Sequence, residues 1–368
     1  MKTYQGLAAV AVVVSIVLTG CGGGVNRAAS VGNEENIDQA ADVYERFNNL
    51  EGEERMEELV KAAEAEGKLS VYSTLTPEAA PVVEKAFEAA YDIEVEMPRM
   101  SSEDVITKVD TEQAGGNDNG ADLLELNGFE LTALAAEGHF GEFTGPERDL
   151  VVDEGQKDGW TADRLNRFVV ARNTEKLPDA DWPKRIEDFA DPKYQGKLSM
   201  EINEVDWFMA LRDYYMNEKG MSEQEVTDLF KAIAANSAMV DGHAAQMSQL
   251  AAGKYAVAMS TYDYQTAGVA HTGAPLSYEP VVQPVVQRPN GVALMNSAPH
   301  PASAYLFYVW ILTDGQQVLR EAGLTSALKK DANAGLDQGT EIVSVDVEQL
   351  KDEFDTYQDM YAEVTGQK

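Results

Sequence analysis

After Gly67 the chain alternates short strand-like runs with amphipathic stretches, and that alternation implies a parallel sheet covered by helices on both faces. The spacing predicts strands over 69–73, 93–97 and 121–126, separated by helices over 77–91, 102–113 and 131–137, the first opened by Thr76 and Pro77. A further strand is expected over 167–173. A second round starts after Gly196, with a strand over 197–202, helices over 207–216, 222–235 and 244–252, and a strand over 256–261. Residues 280–289 (PVVQPVVQRP) are extended, because their prolines exclude helix; 292–295 form a short strand, and helices follow over 301–313 and 315–322. Pro289, Asn290 and Gly291 suit either a hinge or a plain turn. Ahead of the first strand, 35–50 and 53–66 carry apolar residues at helical spacing and read as packing helices with no site attached. In open parallel sheets ligands sit beyond the carboxyl ends of the strands. That rule singles out Ser73, Thr74, Arg99, Ser101, Ser102 and Asn127, each of which also suits a cap or turn, Ser102 and Thr76 especially.

The first residues set the address. One basic residue (Lys2), an apolar run over 7–18 and then Leu18-Thr19-Gly20-Cys21 resemble a bacterial lipoprotein signal with its lipobox. The run falls short of the ~20 apolar residues that span a bilayer. Cys21 is the single cysteine, so it forms no internal disulfide, and its position suits thioether lipidation; the alternative is an ordinary cleaved signal followed by a stray thiol. This reading makes 1–20 a signal peptide, 21–33 a lipid-anchored flexible tether and 34–66 a helical N-terminal extension. The protein is then extracytoplasmic, held on the cell membrane through the Cys21 lipid, or on the outer membrane or in the periplasm of a diderm. What remains is too long for one core and predicts two. With 63 acidic against 29 basic residues, the net charge of -34 repels nucleic acid and anionic lipid. The same charge either gathers cationic ligands or is a solvated acidic surface of the kind found in proteins adapted to salt.

Four segments carry a family resemblance: EGKLSVYS (66–73), ARNTEKLP with the later IEDFADPKYQGKL (171–198), AAGKYAVAMSTYDY (251–264), and the run from Gly273 to Gln317 that contains PVVQPVVQRPNGVALMNSAPH. Their order and wording resemble the solute-binding lipoproteins of ABC importers, in the branch that includes ferric-iron, phosphonate and polyamine binders. The resemblance implies a type 2 periplasmic-binding fold, with two discontinuous α/β lobes, 67–170 with 288–325 and 171–287 with 326–368. Two crossing strands near 168–173 and 287–294 join them. It also implies a small-molecule or ion ligand caught between the lobes, an ABC permease with its ATPase as partners, and a monomer.

The second round supplies Glu201, Asp206 and Trp207, then His243, then Tyr262, Asp263 and Tyr264. In the ferric-iron binders of that family two adjacent tyrosines stand at the last position, since phenolate oxygen suits a trivalent ion. Here the pair is Tyr262-Asp263 with Tyr264 displaced by one, and Ser73-Thr74-Leu75 lacks the Arg-His of many iron binders. An iron site would use Tyr262, Asp263, His243 and Glu201. An organic ligand would use Trp207, Tyr262 and Tyr264 as aromatic walls, Asp206 and Glu201 as counter-charges, and Arg99 as a clamp for a carboxylate or phosphate. Trp207 serves equally as a core residue, and His243 as a solvent-facing helix start; His139, His271 and His300 sit beside turn residues and receive no role. The Gly-x-Ser-x-Gly elbow, His-Glu-x-x-His, a Walker loop and a cysteine pair are missing from the sequence. The chain therefore reads as a binding protein, not an enzyme, with no cofactor. A ligand-sensing lipoprotein that signals to a receptor is a third reading.

Overall fold

The computed structural model describes residues 34–115 and 120–367; the expected signal peptide, Cys21 and tether lie outside the described residues. Helices Glu34–Asn49 and Gly52–Glu66 form where the apolar spacing predicts them. The second stops at Gly67, whose φ of 66° is left-handed and costs glycine little. Both helices pack on helix Pro301–Ile311, every residue of which is buried. Tyr305 of that helix meets Phe47 and Phe143 at ring-centroid distances of 5.8 and 5.0 Å. Buried Arg55 ties the layer down by pairing with Glu147 at 2.9 Å and donating to the Tyr305 hydroxyl at 3.2 Å.

Among the described residues twelve strands make one sheet: β1 (Lys68–Ser73), β2 (Glu94–Glu96), β3 (Leu123–Asn127), β4 (Gln156–Lys157), β5 (Trp160–Asn173), β6 (Leu198–Glu201), β7 (Ser237–Val240), β8 (Val257–Tyr262), β9 (Leu276–Ser277), β10 (Val285–Leu294), β11 (Thr325–Ser326) and β12 (Ile342–Ser344). The main path runs β2-β1-β3-β10-β5-β8-β6-β7. Within the first lobe β1 pairs in parallel with β2 and β3, and within the second β6 pairs in parallel with β7 and β8. Long β5 and β10 run antiparallel to each other and serve both halves: β10 pairs with β3 from Asn290 onward, and β5 pairs with β8 from Phe168 onward. This is the type 2 periplasmic-binding architecture.

Several expectations need correction. Residues 289–291 continue a strand rather than turning, with a register shift between Asn290 and Gly291. A Cβ on Gly291 would lie 2.4 Å from the Thr161 carbonyl oxygen, so the close approach of β5 demands glycine there. Pro289 falls just before pairing with β3 begins, so on that flank its missing N–H breaks no ladder bond. Apolar side chains form one continuous cluster through both lobes, with a small satellite around Met247 and Leu250, instead of two separate cores; all fourteen residues of β5 are buried and bridge the lobes. β7, helix Asp263–His271 and helix Val347–Val364 had no counterpart in the sequence reading.

Candidate functional site

β1 and β3 end at Ser73 and Asn127, and β6 and β8, which run in the opposite direction, end at Glu201 and Tyr262. Helices Ser102–Gly115, Gly128–Glu137, Val205–Asn217, His243–Ala251 and Asp263–His271 start beside those ends. Between the lobes lies a cleft of about 670 Å3. Of the residues anticipated from sequence, Thr74, Arg99, Ser101, Ser102, Asn127, Glu201, Asp206, His243, Tyr262 and Tyr264 line it.

Three anticipated residues do not. Ser73 is fully buried and donates to Glu125 Oε2 at 2.7 Å, because its side chain turns into the sheet toward the carboxylate below the cleft. Trp207 is 1% exposed and sits edge-on against Phe230 at 5.8 Å, so its large apolar ring belongs to the core of the second lobe. Asp263 accepts from the Tyr264 amide at 2.7 Å and from Thr325 at 3.3 Å, and faces Arg167 at 3.9 Å. That contact set holds its carboxylate away from the cleft.

Two arginines that sequence reasoning passed over shape the floor, and both come from the crossing strands. Arg164 of β5 is held by Glu125 at 2.6 Å, Asn166 at 2.8 Å and Thr74 at 3.1 Å. Arg288 of β10 donates to Asp206 at 2.6 Å, Asn127 at 3.2 Å and the Tyr262 hydroxyl at 3.3 Å. Burial disfavours its charge, but Tyr262, Asp206 and Glu130 outweigh this and hold its pKa above the ordinary value. The only cue was the arginines of the crossing strands, Arg164, Arg167 and Arg172 on β5 and Arg288 on β10, in runs that otherwise read as structural.

Aromatic rings form the second-lobe wall. Tyr262 and Tyr264 stack at 5.5 Å with planes 8° apart, and His243 lies 4.4 Å from Tyr262. Burial drives the Tyr262 phenol well above its usual pKa, so without a bound cation it stays protonated. Carboxyls supply the remaining polarity. Glu201 accepts from the backbone N–H groups of Asn203 and Gly242. Glu204 lies 3.4 Å from His243 Nε2; burial raises the Glu204 pKa, and although burial opposes the imidazolium, Glu204 and Glu201 hold the His243 pKa above its ordinary value. Burial pushes the Glu130 carboxyl up to about 7 despite Arg288 nearby. The C-terminal helix contributes Leu350, Phe354 and Gln358 to the rim. Phe354 stacks on Phe129 at 5.1 Å beside a non-helical residue, Glu353. Among the described residues the one group of histidine and carboxylate ligand atoms close enough to share a metal ion is Asp110, Glu137 and His139, outside this cleft.

The family described as bacterial extracellular solute-binding protein matches residues 83–333. The chain belongs to that family. No curated sequence matches this solute-binding protein. Solved structures share its fold: iron-bound HitA from Pseudomonas aeruginosa, at 18% identity and a TM-score of 0.65, over 81% of this chain and 99% of that one; AfuA from Actinobacillus pleuropneumoniae with exogenous fructose-6-phosphate, at 19% identity and 0.64, over 82% and 99%; and Trichodesmium IdiA (FutA) with iron and citrate, at 14% identity and 0.65, over 81% and 99%. The resemblance seen in the sequence is thereby borne out at the level of family and fold. This solute-binding protein is of the ABC-importer type, whose members bind small ligands or ions. No helix of the described residues is long and apolar enough to cross a membrane.

Proposed function

We propose that the protein captures a small polar organic solute between its lobes and hands it to the permease and ATPase of an importer, acting as a lipid-anchored monomer without catalysis or cofactor. The observation that carries this reading is a cleft lined by polar side chains from both lobes and both crossing strands, with arginines, carboxyls and an aromatic wall converging on one volume. Closure about β5 and β10 would bury the solute, and contacts made only in the closed form would set the open-to-closed balance. The lobes are proposed to divide as 67–170 with 288–325 and 171–287 with 326–368, anchoring to run through Cys21 and the 21–33 tether, and contacts to come from Thr74, Arg99, Ser101, Asn127, Glu201, Asp206, His243, Tyr262 and Tyr264. Metal analysis and native mass spectrometry of the purified protein should find a co-purifying organic solute and no stoichiometric iron. Small-angle scattering with that solute at saturation should show a smaller radius of gyration; an unchanged radius would count against capture by closure.

Ferric iron is the second reading, favoured by two stacked tyrosines in the cleft. Against it, Asp263 is taken up by Arg167, Thr325 and its own helix. Iron held by phenolate would give a visible charge-transfer colour that Tyr262→Phe abolishes. A colourless protein after addition of ferric citrate is the outcome expected here.

A further inference from the structure

Buried polar atoms without partners are uncommon and costly in folded proteins, and this cleft gathers several. Glu130 is 7% exposed and Glu204 4% exposed, and Oε2 of each has no hydrogen-bond partner. Gln265, on the same wall, leaves Oε1 unpartnered as well. All three atoms are acceptors. His243 Nδ1 is also unpartnered, and it accepts or donates according to its protonation.

The cations of the cleft do not answer these acceptors. Arg164 is committed to Glu125 and Arg288 to Asp206; their Nε atoms lack partners, but each guanidinium already faces a carboxylate. Arg99 is exposed. His243 Nε2 faces only Oε1 of Glu204, at 3.4 Å, and leaves Oε2 bare; Glu103, Glu130, Glu201, Glu204 and Asp206 still outnumber Arg99, Arg164, Arg288 and His243 on the lining. The missing partner must bring hydrogen-bond donors and positive charge together. A hydroxyl brings one donor and no charge, whereas an ammonium brings three donors and a full charge.

Resting on the reading of this cleft as a solute site, we propose that Glu130 and Glu204 form an ammonium-binding subsite, so that the captured solute carries a protonated amine. Glu130 enters from the first lobe at the start of helix Gly128–Glu137, and Glu204 from the second lobe just ahead of helix Val205–Asn217. An ammonium between them would therefore reward closure, since each lobe supplies one carboxyl. The net charge of -34 would raise the local concentration of such a cation at low salt.

Calorimetry on the purified full-length protein tests this with ethanolamine, 1,4-diaminobutane and 2-aminoethyl phosphate in one arm, and ethylene glycol, 1,4-butanediol and inorganic phosphate in the other. At least one amine should bind well above its amine-free counterpart, and Glu130→Gln should weaken that amine roughly ten- to a hundredfold, the loss expected for a hydrogen bond to a charged group. Glu204→Gln provides a second reading should Glu130→Gln misfold, and circular dichroism reports on the fold of each. Binding by none of the amines, or amine binding unchanged in both variants, overturns the subsite. If a diol or phosphate binds and shrinks the radius of gyration while the amines do not, the subsite fails and solute capture stands. If no probe alters the scattering and nothing co-purifies, solute capture itself fails.

Discussion

Two polar concavities of similar size stand on this molecule, and they treat their carboxyl groups in opposite ways. On the outside of the second lobe, a groove of about 540 Å3 runs between helix Val205–Asn217 and the segment around Glu341. There Glu341 receives Arg185 at 3.1 Å, Lys219 at 3.2 Å and the Tyr214 hydroxyl. The Tyr214 hydrogen bond and the neighbouring cations pull its carboxyl down to about 2. In the interlobe cleft, Glu130 keeps one oxygen bare and burial pushes it up to about 7. A saturated cluster is part of the fold's own bonding, whereas an unsaturated buried one is poised for a partner from outside. Arg164 and Glu125 show that the cleft floor can also saturate itself, so the bare oxygens on its walls are a local property of those walls.

The largest way to break the comparison is to remove a cation from each region. Arg164→Met strips the partner from Glu125 in a pair whose side chains are 4% and 3% exposed, and a buried carboxylate left uncompensated costs about 3–5 kcal/mol. Arg185→Met removes a cation that is 34% exposed and should cost less than about 1 kcal/mol. Urea denaturation of both variants checks the ordering, and equal losses would erase the distinction.

A change of opposite sign sharpens it. Because the folded pKa of Glu130 lies above its unfolded value, its contribution is fully present below about 4.3 and is lost as pH rises through about 7. Glu130→Gln removes that penalty. The variant should therefore gain stability on the wild type between pH 4 and pH 8, by on the order of 3 kcal/mol in the absence of solute. Denaturant midpoints at both pH values read this, and a difference that does not change with pH would remove the case for an uncompensated carboxyl.

The smallest effect belongs to Glu341, whose folded pKa is depressed. Its contribution is present above the unfolded value and lost as pH falls through about 2. The group is 37% exposed, so solvent screening keeps the contribution below about 1 kcal/mol. Glu341→Gln should lower the thermal midpoint slightly at pH 6 and leave it unchanged near pH 2.

Most helices and strands were legible because their periodicity is local: residues 102–113 and 222–235 announce amphipathic helices, and Leu198–Glu201 and Val257–Tyr262 announce buried strands. The C-terminal helix was missed although Val347, Leu350, Tyr357, Tyr361 and Val364 lie on one buried face and Asp346 caps it by accepting from Glu348 and Gln349. That signal was present and unread. Helix Asp263–His271 was hidden differently, since Asp263 and Tyr264 read as ligands rather than as its first turn.

By itself the sequence determined the alternation of strands and helices, the family, and which strand ends would carry polar residues, because each of these follows from neighbours along the chain. Only the tertiary structure decided which polar residues share a volume. Trp207 and Asp206 are adjacent in sequence, yet one fills the core and the other meets Arg288 across the cleft floor. Successive residues at the start of a helix point in different directions, and burial or pairing depends on what the distant crossing strands bring opposite them. Arg164 and Arg288 stand far apart along the chain and line one cleft because β5 and β10 run side by side through both lobes. Pairing between remote segments leaves no local pattern from which it can be read.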